Sequence, residues 1–279
     1  MKTFNKSKLQ SVALRCAAYT AGLLTVGVLL CLVVYILIKG VPHLSLDLFS
    51  LKYTSENVSL FPALINTVTM TFFSLLIAVP LGIFSAIYLV EYARRGNKLV
   101  SVVRITAETL SGIPSIVYGL FGFLLFVTTL GFGYSLLAGA LTLAIMILPV
   151  IMRTTEEALI SVPDSYREGS FGLGAGKLRT IFKIVLPSAM PGILAGVVLS
   201  VGRIVGETAA LIYTAGSVAQ IPDNLMGSGR TLSIHLYALW TEGLNTEQSY
   251  ATAVVLLFIV IGLNALSAFV AKRLGKGKV

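Results

Sequence analysis

The chain reads as an all-α membrane protein that crosses the bilayer six times. Three observations predict this. The 279 residues are 56% apolar with a mean hydropathy of +0.90, too hydrophobic for a soluble domain of this length. Several uninterrupted apolar runs reach the ~20 residues that ~30 Å of hydrocarbon demands. Finally, the formal charge of +9 is not scattered but collects in alternate loops, so it points to oriented spans and not to nucleic acid.

The spans are expected at Val12–Ile38, Phe61–Val90, Leu110–Thr129, Tyr134–Met152, Met190–Tyr213 and Tyr250–Val270. An even number places both termini on one side. With the N-terminus in the cytoplasm, the inner segments hold 17 of the 21 Lys and Arg residues, counting Arg15 at the inner end of the first span; Lys39, Lys52 and Arg230 fall outside, and Arg203 is left in the membrane. That bias sets the orientation, with both ends cytoplasmic. Residues 1–11 and 272–279 form short cytoplasmic tails around one membrane domain, 12–271. The first apolar run is about twice the length of a signal-peptide core and lacks a small-x-small cleavage site, so it is expected to stay as a helix. Cys16 and Cys31 both lie in it, over ~20 Å apart and beyond disulfide reach. His43 and His235 fall in different outer loops with no metal-ligand cluster.

Prolines at positions 80, 114, 149 and 191 lie within or at the ends of spans, where neighbouring helices can satisfy freed carbonyls. Glu108, read as near the start of the third span, is placed to interact with the positive end of that helix dipole. Asn66 and Thr67, early in the second span, are expected to bond between helices.

Arg203 and Glu207 are four residues apart within the fifth apolar run. On a continuous helix they stack on one face, and Gly192, Gly196 and Ser200 share that stripe within about 80°. Two unit charges 4 Å apart recover roughly 4 kcal/mol at an effective dielectric of 20, against about 2.5 to 3.5 kcal/mol for burying each alone. Mutual neutralisation is therefore a sufficient structural role. The functional alternative is that Arg203 offers its donor fork to a passing anion while Glu207 orients it.

The longest inner loop, residues 153–187, has Ser161, Pro163 and Asp164 as a helix start, then Gly169, Gly172, Gly174 and Gly176 as breakers. Leu178, Ile181, Phe182 and Val185 follow at i, i+3, i+4 and i+7, a second short helix with one apolar face. It could lie on lipid headgroups or seat in a partner. The glycines do not make a nucleotide loop, because positions 171 and 178 hold Phe and Leu where Gly and Ser/Thr are required. No catalytic constellation or cofactor site is found.

Glu168-Gly169-Ser170, three residues, Gly174, nine residues, Ile184, one residue, Leu186-Pro187 resembles the signature of ABC importer permeases, whose usual form begins Glu-Ala-Ala. Here two small residues replace the alanines. Ser111–Gly122 (SGIPSIVYGLFG) is similar to the third-span motif of phosphate-transporter permeases, and Gly206–Leu211 (GETAAL) to the fifth-span motif of their A type, with Ala210 where proline is usual. The resemblance implies an ABC type I importer permease fold in a bacterial inner membrane. It further implies that the 153–187 loop forms coupling helices on a cytosolic ATPase, present in two copies and itself binding ATP and Mg. Partners would be a second, C-type permease in a heterodimer and an extracytoplasmic phosphate-binding protein, with phosphate as cargo. A sulfate or molybdate importer permease, and a membrane scaffold for phosphate signalling, are the alternatives.

Overall fold

The computed structural model describes residues 2–94 and 96–276. Arg95 and the last three residues of the basic tail, Lys278 among them, lie outside the described residues. Helix α1 (Lys2–Gly40) contains the long apolar run but stands almost alone, with Leu23 and Leu24 exposed. Its C-terminal end is anchored. There Gly40 lies against α11 (Thr246–Lys276), where a Cβ would come within 2.4 Å of the Tyr250 carbonyl oxygen. The Tyr35 and Tyr250 hydroxyls meet at 3.2 Å.

The core is built on α2 (Phe61–Ile87, continuing through a π turn to Tyr92) and α5 (Leu136–Ile160), with Met70, Leu143, Met146, Ile147 and Ile151 fully buried. Close approach is possible because Gly82 lies under Ile151, and the Ser74 hydroxyl donates across to the Ala140 carbonyl at 3.0 Å. Pro80, Pro149 and Pro191 sit inside helices as expected. The first, second, fourth and sixth spans agree with the sequence in location, although α5 runs eight residues past Met152.

Two spans do not. The third is broken: α3 (Lys98–Ser111) and α4 (Ser115–Gly122, continuing through a wider turn to Thr129) meet at 103°. Pro114, in extended backbone, caps α4 and cannot continue α3, because a residue beside proline is pushed from helical geometry. Tyr118 closes the corner, its hydroxyl donating to the Leu110 carbonyl at 2.8 Å. Glu108 consequently falls in the last turn of α3, at the negative end of a helix. The dipole role fails there, and Glu108 pairs instead with Arg153 at 3.4 Å.

The fifth span begins at Lys177 and ends at Val205, not Met190 to Tyr213. Helix α7 (Lys177–Thr180) passes through a π turn at Ile181–Val185 directly into α8 (Leu186–Val205). Pro187 does not stop it, because it lies in the first turn of α8 just after the wider turn that absorbs the missing donor. The chain then breaks at Gly206 and restarts as α9 (Ala209–Ile212).

At the end away from the 153–187 loop, α10 (Leu232–Glu242) packs Ile234 and Leu239 inward and leaves Tyr237 and Trp240 exposed. Asn66 donates to the Gln220 carbonyl at 2.8 Å and Thr67 accepts from the Leu232 amide at 2.8 Å, so both bind this segment to α2. Arg230, expected in a solvated loop, is buried, with its guanidinium over the Tyr53 ring. Beside it His235 is fully buried, and burial, aided by the Arg230 charge and against a weaker Val58 backbone contact, lowers its pKa to about 3 from 6.5. The unfolded chain therefore binds a proton here that the folded one refuses, so stability is complete above pH 6.5 and declines as pH falls toward 3. At about pH 5 the loss is about 2 kcal/mol. Thermal unfolding of the purified protein should drop more between neutral pH and pH 5 for the native chain than for His235→Gln; equal drops would remove His235 as the cause.

Candidate functional site

Arg203 and Glu207 are close in sequence but not stacked. Arg203 occupies the last turn of α8, half-buried. The helix ends before Glu207, which is buried and turns its carboxylate to accept the Ala210 amide at 3.0 Å. An anionic acceptor at a helix start is favoured by the free amides there, so Glu207 caps α9 rather than continuing α8. Its carbonyl in turn accepts the Ser233 hydroxyl of α10. Among the described residues no carboxylate lies within 4 Å of the Arg203 guanidinium. The expected ion pair is thus absent, because the helical continuity it requires is lost at Gly206.

The two motifs that stood apart in sequence meet here. Gly119 of α4 lies against α9, where a Cβ would come within 2.7 Å of the Ala210 Cα. Gly122 packs equally tightly on Thr142 and Thr214. Tyr118, the residue before Gly119, is within electrostatic range of Arg203. The small-residue stripe of α8 faces α5: a Cβ at Gly196 would sit 1.9 Å from the Thr154 hydroxyl, and one at Gly192 2.7 Å from Ala158. Arg203 is the end of that protein-facing stripe, at the junction of α4, α8 and α9.

In the 153–187 loop, α6 (Asp164–Gly172) starts where expected, with Pro163 as its cap. Ser161 does not form the capping box; its hydroxyl donates backwards to the Ala158 carbonyl. Gly169 stays helical, and the break comes at Leu173–Gly176, with Gly174 at φ +82°. This conformation is costly for a residue with a Cβ. Of the signature, Glu168 and Gly169 are exposed, Ile184, Leu186 and Pro187 are half-buried, and Ser170 is buried against the Thr180 hydroxyl at 2.8 Å. The apolar face is divided: Ile181 and Val185 are buried, while Leu178 and Phe182 remain exposed. Leu173, at the tip, is 91% exposed.

Sequence reasoning missed Arg167. Its guanidinium donates to Glu91 at 2.7 and 3.0 Å and to the Val162 and Leu159 carbonyls, tying α6 to the end of α2. Only its position within a basic loop was visible, since the partner is 76 residues away.

Residues 78–278 match the family model described as binding-protein-dependent transport system inner membrane component. Over 244 residues the chain is 36% identical to the probable ABC transporter permease protein YqgI of Bacillus subtilis, spanning 82% of this chain and 81% of that one. It is 40% identical over 220 residues to the phosphate transport system permease protein PstA 1 of Mycobacterium tuberculosis, spanning 76% and 71%. Among solved structures, a chain of the inward-facing MetNI methionine ABC transporter superposes with a TM-score of 0.60 at 22% identity, covering 77% of this chain and 94% of that one. The fold is therefore that of ABC type I importer permeases.

Proposed function

The chain belongs to the family of binding-protein-dependent transport system inner membrane components, and from that premise we propose that it is a permease subunit of an ATP-driven phosphate importer. It builds the translocation path together with a second, C-type permease. One of two copies of a cytosolic ATPase docks at residues 153–187, through Glu168, Gly169, Ser170, Gly174, Ile184, Leu186 and Pro187, and the ATPase pair binds the ATP and Mg. An extracytoplasmic phosphate-binding protein delivers the anion, and both termini face the cytoplasm.

One observation carries the reading beyond the relatives' names. Arg203 is a half-buried cation at the α4–α8–α9 junction with no carboxylate within 4 Å among the described residues. A lone Arg in a span is unfavourable, by up to about 2.5 to 3.5 kcal/mol at a span's centre and less toward its end, and a transient oxyanion contact offsets that cost. Its planar fork suits two phosphate oxygens at once, and the capping of α9 by Glu207 leaves it free for them. A single such contact is weak enough to release the anion onward.

The test is reconstitution with the companion subunits and the binding protein. ATP-dependent uptake of labelled phosphate is expected, competed by arsenate and not by sulfate. Competition by sulfate would replace phosphate with another oxyanion, and assembly without flux would make the chain a scaffold.

A further inference from the structure

A polar cavity of about 810 Å³ lies where the end of α2, the start of α3 and the start of α6 converge. Its volume falls in the range of small-ligand sites. Glu91, Arg94, Lys98, Arg104, Asp164 and Arg167 line it. The two carboxylates are both committed to Arg167, and Arg104 pairs with Glu156 at 2.6 Å. Arg94 and Lys98 are left exposed, with no carboxylate partner among the described residues. The cavity therefore presents two unspent cations beside the first turn of α3, whose Leu99 amide is already taken by the Asn97 side chain.

The surroundings specify what kind of anion. Because α3 turns 103° from α4, it lies near the membrane plane when α4 crosses the bilayer. Its outward stripe, Leu99, Val102 and Ile105, is 61–63% exposed and lies opposite the buried Val100 and Ala107. Exposed Tyr88 and Tyr92 stand at the adjoining end of α2. An apolar stripe, an aromatic pair and bare cations at one level are the features of a helix lying at the headgroup boundary. Basic pockets between membrane helices at this depth suit phosphate-bearing lipid headgroups.

We propose that this cavity binds the phosphate headgroup of an anionic phospholipid, held by Arg94 and Lys98, with its acyl chains along Leu99, Val102 and Ile105. The site shares a wall with the Arg167–Glu91 contact that fixes α6, so headgroup occupancy braces the docking loop. This rests on the membrane-spanning fold and not on the identity of the cargo.

The assembled transporter is purified and the phospholipid it retains is measured by native mass spectrometry, for the native chain and for the double variant Arg94→Gln, Lys98→Gln. Two contacts of about 1 kcal/mol each predict a roughly thirtyfold fall in retention of phosphatidylglycerol over phosphatidylcholine. In vesicles, added phosphatidylglycerol should stimulate transport by the native complex and not by the variant. The single variants keep the test open should the double one fail to assemble, since neither side chain bonds to another of the described residues. Unchanged retention overturns the proposal. Displacement of the lipid by inorganic phosphate would mark a free-anion site instead. A loss of ATPase subunit with lipid retention intact would mark a protein contact, and either result overturns it.

Discussion

Arg203→Gln is expected to reduce phosphate uptake by roughly ten- to hundredfold while leaving membrane insertion and subunit assembly intact. A charge-assisted hydrogen bond contributes about 1.5 to 3 kcal/mol, and the amide replaces the guanidinium without the charge. Arg203→Lys should be intermediate, because the charge remains but the two-pronged geometry does not. Glu207→Gln provides the control that separates two physical pictures. If the residues neutralised each other, removing either charge would strand the other, and the two variants would be similarly impaired. In the observed geometry the glutamine carbonyl can still accept the Ala210 amide, so Glu207→Gln should cost far less than Arg203→Gln. Measuring labelled phosphate uptake with both variants in the assembled transporter decides this. Near-native uptake by Arg203→Gln would remove Arg203 from the path.

The second large effect is expected at the tip of the docking loop. Leu173 is 91% exposed and is followed by Gly174 at φ +82°. An apolar side chain held outward on a left-handed turn gains nothing in the isolated chain, whereas burying a Leu in a partner's cleft contributes about 1.5 to 3 kcal/mol. Leu173→Glu removes that burial and places a charge in the cleft, so recovery of the ATPase subunit with the permease should fall at least about tenfold. Gly174→Val attacks the same tip through the backbone, costing about 1 to 2 kcal/mol of local strain. Glu168→Lys, on the exposed face of α6, should weaken the association as well. Insertion should be normal in all three, because none of these side chains packs in the core. Undiminished co-purification would locate the ATPase contact elsewhere.

Much of this was legible in the residues. The second span starts at Phe61 as its apolar pattern indicates, and α6 starts at Asp164 behind Pro163. Asn66 and Thr67 bind neighbouring segments, as polar groups at a buried helix face must. What failed was helix continuity. Hydropathy sees Leu110–Thr129 as one run, but Pro114 forces extended backbone and α3 turns aside. It sees Met190–Tyr213 as another, yet Gly206 and the turned Glu207 divide it. In the opposite sense, Pro187 looked like a boundary and is none, because a π turn precedes it. Partners distant in the chain, such as Arg167 with Glu91 or Arg230 with Tyr53, leave no local pattern to read.

Composition, apolar run length and the spacing of small residues by themselves determined an all-helical membrane protein with a glycine-interrupted loop at its basic end. They suffice because transfer into hydrocarbon and the demand that every amide be paired there are summed over a segment, whatever its neighbours. Only the tertiary structure decided whether Arg203 is spent on Glu207 or left open. That depends on where one helix stops, a balance of about 1 kcal/mol between a backbone bond and a side-chain cap, made where α9 packs against Gly119.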